Sequence, residues 1–198
     1  MAPPRKHDTD QILDAARTLV LRDGPRAASV AAIADESGAP VGTLYHRFGS
    51  RDGILAAAWL RALDRFQQRA LAAATDPDPL EAAVAMALTQ VRFAREEPDD
   101  VRLLLAIRRN DLLDADPGDT FRTELAEMNA PLEDALARLT RALRGRADAR
   151  SRDAVVRAVV DLPNATVRRH LRGDGRFPGW LDRDIAAAAR ALLTADGS

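Results

Sequence analysis

The chain has 198 residues, 46% of them hydrophobic, which suits one or two small globular domains and excludes wholesale disorder. It has no cysteine, so disulfides, thiolate zinc sites and cysteine nucleophiles are excluded together. The net charge is −1 and residues 1–50 balance their basic and acidic groups, so affinity for nucleic acid must come from where charges sit, not from their sum.

The first ten residues are polar and lack the apolar run of a secretory signal. No segment approaches the roughly 18 consecutive apolar residues of a membrane span. The sequence therefore reads as a soluble, cytoplasmic protein with no membrane partner. Residues 1–8 read as a flexible arm. A first helix is predicted from Thr9 to Asp23, with Ile12, Ala15, Ala16, Leu19 and Val20 on one apolar stripe and Gly24 stopping it. Ser29 caps a short helix that reaches Ser37, Gly38 breaks it, and Pro40 opens a second short helix to Phe48. Ser50 caps a long helix to about Ala74. The run Thr75-Asp76-Pro77-Asp78-Pro79 is a loop.

Further helices are predicted over about 80–95, 99–113, 119–144, 151–171 and 179–195. Pro131 and Pro163 lie inside two of them and should kink or split each, with Asn129 placed to cap the second piece of the first. No stretch alternates with period two over the length of a strand. The fold class is all-α. An N-terminal three-helix domain over 9–53 precedes a larger helical bundle over 54–196.

Ser29 to Phe48 is the informative segment. Two short helices joined by a glycine-containing turn describe a helix-turn-helix. Val30, Ile33 and Ala34 give the first helix its apolar face, and Gly38 permits the positive φ that reverses the chain. Leu44 and Phe48, at i and i+4, anchor the second helix. Thr43, His46 and Arg47 are left on other faces, and the N-terminal part of such a helix enters the major groove. Each has a plainer reading. Tyr45 serves equally as half-buried packing, His46 as a solvated surface residue, and Arg47 as the partner of Glu36 or Asp35.

The first helix, the turn and the run Gly42-Thr43-Leu44-Tyr45-His46-Arg47-Phe48-Gly49-Ser50-Arg51-Asp52 resemble the TetR family of bacterial transcriptional regulators, over about residues 9–60. The resemblance implies that Thr43, Tyr45 and Arg51 contact phosphates, and that the helix start at Ser29 meets another. It implies base reading by Val41, Gly42, His46 and Arg47, with Arg47 suited to a guanine. Where the family often carries serine, lysine and valine, this chain has Pro40, Val41 and Ala39. Pro40 lacks a capping hydroxyl, and Val41 offers methyl groups to a thymine instead of a charge.

The resemblance further implies a homodimer on double-stranded DNA and a small-molecule effector bound by the C-terminal bundle, with no cofactor and no enzymatic activity. Large side chains that suit an apolar pocket are Trp59, Phe66, Met86, Phe93, Phe121 and Met128, together with Trp180. The last two helices are expected to form the dimer interface, through Val155, Val159 and Leu162 on one and Leu181, Ile185, Ala188 and Leu192 on the other. His7, His46 and His170 show no metal-ligand spacing. A different reading makes the chain a small helical-bundle enzyme or carrier whose N-terminal hairpin is only structural.

Overall fold

In the computed structural model, residues 9–107, 119–146, 148–173 and 175–195 are described, with 119 and 120 by their backbone alone. These residues are helical throughout, with no strand among them. Helix α1 spans Thr9–Asp23, α2 Val30–Ser37 and α3 Val41–Phe48. Helix α4 spans Arg51–Ala73, α5 Pro79–Glu96 and α6 Pro98–Ala106. Helix α7 spans Asp119–Arg144 and α8 Ala149–Val156. A π-helical turn over Arg157–Asp161 leads into α9, Leu162–Arg172, and α10 is Leu181–Thr194. The expected arm at 1–8 and the expected end of the 99–113 helix lie outside the described residues.

The helix starts follow from capping. Ser29 accepts the Ala32 N–H at 3.1 Å. Ser50 accepts that of Gly53 at 3.0 Å, and Asp78 that of Leu80 at 2.8 Å. Each satisfies a donor that the first turn of a helix leaves unpaired. Pro40 takes the cap position of α3 with no side-chain bond, so it stands just outside that helix and not in its first turn.

The chain divides into two compact units. The first holds the described residues up to Leu63 and those between Asp99 and Leu125. Ile12, Ala16, Ile33, Leu44 and Ile54 are fully enclosed there and make the core that α1, α2 and α3 share. The second holds Asp64–Pro98 and the described residues from Ala126 onward. Its core gathers Met86, Leu136, Leu139, Val155, Val159 and Leu193, and α10 and α9 pack on α5.

The two internal prolines act differently. Helix α7 runs on through Pro131 without a split, and Asn129 caps nothing. Its side-chain oxygen instead accepts a 2.7 Å bond from Gln67, which is buried. Pro163 does disturb its helix. A proline has no N–H, and its ring crowds the carbonyl four residues back, here that of Val159. The backbone widens into the π turn, in which the Leu162 N–H bonds to the Arg157 carbonyl. Gln90 of α5 donates its amide to the carbonyls of Val159 at 3.2 Å and Val160 at 3.0 Å, so the group released by the proline stays paired.

Part of the apolar pattern expected at a dimer interface is consumed inside the chain. Val155, Val159, Leu181 and Ile185 are buried in the chain's own second unit, because α5 covers the inner stripes of the C-terminal helices. Leu162 and Ala188 are exposed and Leu192 is half-buried.

Candidate nucleic-acid interface

Two residues fix how α3 sits. Leu44 is fully enclosed and Phe48 is half-buried one turn later. Burying a leucine is worth about 2 kcal/mol, enough to fix the rotation of a two-turn helix. With about 100° between successive residues, the direction opposite Leu44 belongs to Gly42 and His46. Val41 and Tyr45 flank them on one edge, Thr43 and Arg47 on the other. Val41, Gly42, Tyr45, His46 and Arg47 are all exposed, and Thr43 is half-buried. Tyr45 is 53% exposed, so it is not the packing residue that its type alone allowed.

The turns around α3 explain its presentation. Gly38 ends α2 at φ 68°, a left-handed conformation that glycine adopts without strain. Ala39 is buried behind the turn, where the fold takes the smaller side chain. Gly53, in the first turn of α4, lies directly against the end of α3. Gly42 has neither reason to be glycine: its φ is ordinary, and a Cβ there meets nothing within 4 Å.

Arg47 donates to the Thr9 hydroxyl at 3.2 Å, at the start of α1. Glu36, one of its expected partners, bonds Arg22 instead. Arg51 is placed otherwise than expected. Its guanidinium donates to the backbone carbonyls of Ala28, at 3.0 Å, and Pro25, and to Asp52 at 2.6 Å. It thus ties the α1–α2 turn to the start of α4, a positioning task inside the domain. Ser29 is exposed at the start of α2.

The residues expected to line an effector pocket fall into separate groups. In the first unit, Trp59 and Phe121 are both buried and meet edge to face, with ring centres 6.3 Å apart. The buried Trp59 Nε1–H finds no acceptor among the described residues. In the second unit, Phe66 and Phe93 meet at 5.6 Å with the Arg69 guanidinium 4.9 Å from the Phe93 ring. Met86 is a core residue beside Leu136 and Leu139, and Met128 is half-buried. A groove of about 240 Å³ between α9 and α10 is lined by Leu162, Trp180 and Ala188 among others. Among the described residues no group of His, Asp or Glu is arranged to hold a metal ion, and no helix is long and apolar enough to cross a membrane.

Sequence reasoning missed a run of ion pairs behind α1. Arg61 of α4 bonds Asp10 at 2.7 Å and Asp14 at 2.6 Å. Arg17 bonds Asp14 at 3.2 Å and also Asp100 of α6, which is 1% exposed. The one local hint was a pair of acids, Asp99 and Asp100, opening a helix, which is also what any exposed helix start shows.

Residues 12–58 match the model of bacterial regulatory proteins of the TetR family, in its N-terminal part. A search of curated proteins by sequence finds no match. Among solved structures, the fatty acid degradation regulator FadR from Bacillus halodurans superposes with a TM-score of 0.70 at 17% identity, covering 98% of this chain and 96% of that one. The transcriptional regulator FadR from Bacillus subtilis, solved in complex with stearoyl-CoA, gives 0.72 at 16%, covering 94% and 98%. The TetR family regulator PfmR from Thermus thermophilus gives 0.62 at 22%, covering 92% and 96%. At such identities the structures attest the shared all-helical fold, and the family itself is carried by the N-terminal match. With its helix-turn-helix over α2 and α3, the N-terminal part of the chain thus matches the TetR family of bacterial regulatory proteins.

Proposed function

We propose that the protein is a homodimeric repressor that binds a palindromic DNA operator through α3 and leaves it when a small molecule binds. The observation that carries the reading is the outer face of α3. Val41, Gly42, Tyr45, His46 and Arg47 are exposed together around a helix whose inner side is pinned by Leu44. Gly42 and His46 at the centre, with Arg47 beside them, face base edges in the major groove. Tyr45 and Thr43 on the two edges reach phosphates.

A two-fold dimer sets two such helices about 34–36 Å apart, one turn of DNA. The surface that supports dimerisation is the outer side of the C-terminal helices, where Leu162 is 46% and Trp180 50% exposed beside Ala188. Exposed apolar residues grouped around a groove mark an interaction surface more often than isolated ones do. For the effector, the supporting site is Trp59 with Phe121. A buried indole N–H without an acceptor costs about 1–3 kcal/mol and is repaid by a ligand that brings one. The stearoyl-CoA complex of a regulator with this fold supports a small-molecule effector.

Selection from a pool of random duplex DNA at two salt concentrations tests the reading. Recovery of a palindrome, bound less tightly as salt rises, is the expected result. Enrichment of no sequence at low salt would instead favour the enzyme or carrier reading.

A further inference from the structure

The outer side of α9 carries a hollow that neither α3 nor the aromatic pair of the first unit explains. It encloses about 430 Å³ and is lined by Asp161, Asn164, Ala165, Arg168, Arg169 and Arg172. All six lie on α9 or at the end of the π turn before it, within the second unit. Asn164 is half-buried and the other five are exposed.

The spacing makes this a recess and not a plain charged face. Asp161 and Arg168 lie two turns apart on one side of the helix, about 10 Å along its axis. The place between them belongs to Ala165, whose methyl group leaves the space unfilled. At the far end, Arg168 and Arg172 are one turn apart, and like charges at that spacing oppose helix formation. Cations in the last turn of a helix do offset its dipole, which accounts for Arg169 and Arg172. It accounts neither for Arg168 nor for the gap at Ala165. Among the described residues, the side chains of Asn164, Arg168 and Arg172 make no hydrogen bond or ion pair.

We propose that this hollow binds a phosphorylated small molecule that also carries hydroxyl groups, the class of the sugar phosphates. Arg168, Arg169 and Arg172 offer forked N–H donors to phosphate oxygens, a geometry that a point charge does not supply. Asn164 adds an amide donor beside them. Asp161 accepts from a ligand hydroxyl and repels phosphate, so it fixes which way the ligand lies along the helix. The volume is that of a small-molecule site, and walls of three arginines and one acid suit a polar ligand. Trp59 and Phe121 belong to the first unit, so the hollow is a ligand site of its own.

Calorimetry on the full-length protein at low salt tests the assignment, with ribose 5-phosphate, ribose and inorganic phosphate as probes. Ribose 5-phosphate should bind once per chain, inorganic phosphate more weakly, and ribose not at all. Arg168→Gln combined with Arg172→Gln should weaken ribose 5-phosphate at least about tenfold. Ala165→Met should weaken it as much, because it fills the hollow without changing charge and methionine keeps a helix well. Arg183→Gln, which removes an exposed arginine of α10, should leave binding unchanged. Asp161→Asn should narrow the preference for ribose 5-phosphate over inorganic phosphate. All these positions are on the surface, so circular dichroism should show wild-type helical content in each variant. Undiminished binding in Ala165→Met would reduce the effect to attraction between charges and overturn the hollow as a site. Absence of binding by both phosphates at millimolar concentration would overturn it outright. Displacement of ribose 5-phosphate by duplex DNA, in a Tyr45→Ala and Arg47→Ala background, would make the recess a nucleic-acid surface and overturn the small-molecule assignment. None of these outcomes depends on whether α3 reads DNA.

Discussion

Gly53 sits so close to the carbonyl oxygen of Phe48 that a methyl group in place of its hydrogen would collide with it. This contact fixes the start of α4 against the end of α3. In an ordinary helix, Gly→Ala is stabilising by up to about 1 kcal/mol. Here the sign reverses. Gly53→Ala should destabilise the protein by about 1–3 kcal/mol, because the obstacle is backbone and cannot swing away. Urea denaturation measures it, and a variant as stable as wild type would show that the close approach is not maintained in solution.

Gly42 gives the opposite expectation. A Cβ there meets no protein atom, and α3 gains a better helix former. Gly42→Ala should leave stability unchanged or raise it by about 0.5 kcal/mol. Operator affinity should nevertheless fall at least about tenfold, since the added methyl stands at the centre of the face proposed to meet DNA. Denaturation and DNA titration on the same preparation separate the two effects.

Gln90 supports the π turn from a distant helix. Replacing it with methionine keeps most of the volume but removes the donor, leaving the Val159 and Val160 carbonyls short of a partner. A cost of about 1–3 kcal/mol is expected. Gln90→Glu should be at least as damaging, because a carboxylate faces the same two acceptors. If Gln90→Met unfolds at the wild-type urea midpoint, those carbonyls are satisfied by other means.

Trp180 and Leu162 are expected to behave as interface residues and not as core. Both are about half exposed, so Trp180→Glu and Leu162→Glu should keep the wild-type helical content. Sedimentation should show a folded monomer at micromolar concentration, and operator binding should weaken because the two reading heads are no longer joined. A dimer that persists in both variants would place the interface elsewhere.

Asp148 caps α8, and its carboxyl is held below the usual carboxylate range by the Ser151 backbone N–H, which it accepts at 2.8 Å. A depressed acid stabilises the folded state above its unfolded pKa, and the contribution is lost as pH falls through the folded value. The start of α8 should therefore fray early in acid titration. Asp148→Asn keeps an acceptor and should remove the pH dependence, which amide exchange at Ser151 and Arg152 reports.

The legible parts of this chain were those whose cause is local. Ser29, Gly38, Leu44 and Phe48 act within one or two turns of themselves, so their spacing sufficed to locate the helix-turn-helix and to turn α3 correctly. Arg51 shows the limit. Its charge was evident, but its acceptors are carbonyls of Pro25 and Ala28, which only the folded chain brings near. The C-terminal stripes show another. Period 3.6 tells that one side of a helix is buried but not by what, and Val155 and Ile185 turned out to be covered by the chain itself. Gln90 and Asp100 were invisible because each serves a partner 69 or more residues away.

The π turn at Arg157–Asp161 governs more than one backbone bond. Along α8, the turn and α9, the enclosed residues fall at Ser151, Val155, Ala158, Val159, Pro163 and Val167, and apart from Ala158 they recur every four positions. An unbroken α-helix cannot hold that interval, since its repeat is about 3.6 residues and each step would drift by about 40°. The wide turn absorbs the drift. Its result is a shift of phase: Leu162, which the simple repeat assigns to the inside with Val155 and Val159, is carried to the outside, and Pro163 takes the inner place. The apolar patch beside Trp180 thus owes Leu162 to a single surplus residue in one helical turn. Removing that residue would draw Leu162 back toward the core, so the length of one turn decides whether this chain shows an apolar side chain on its surface or keeps it inside.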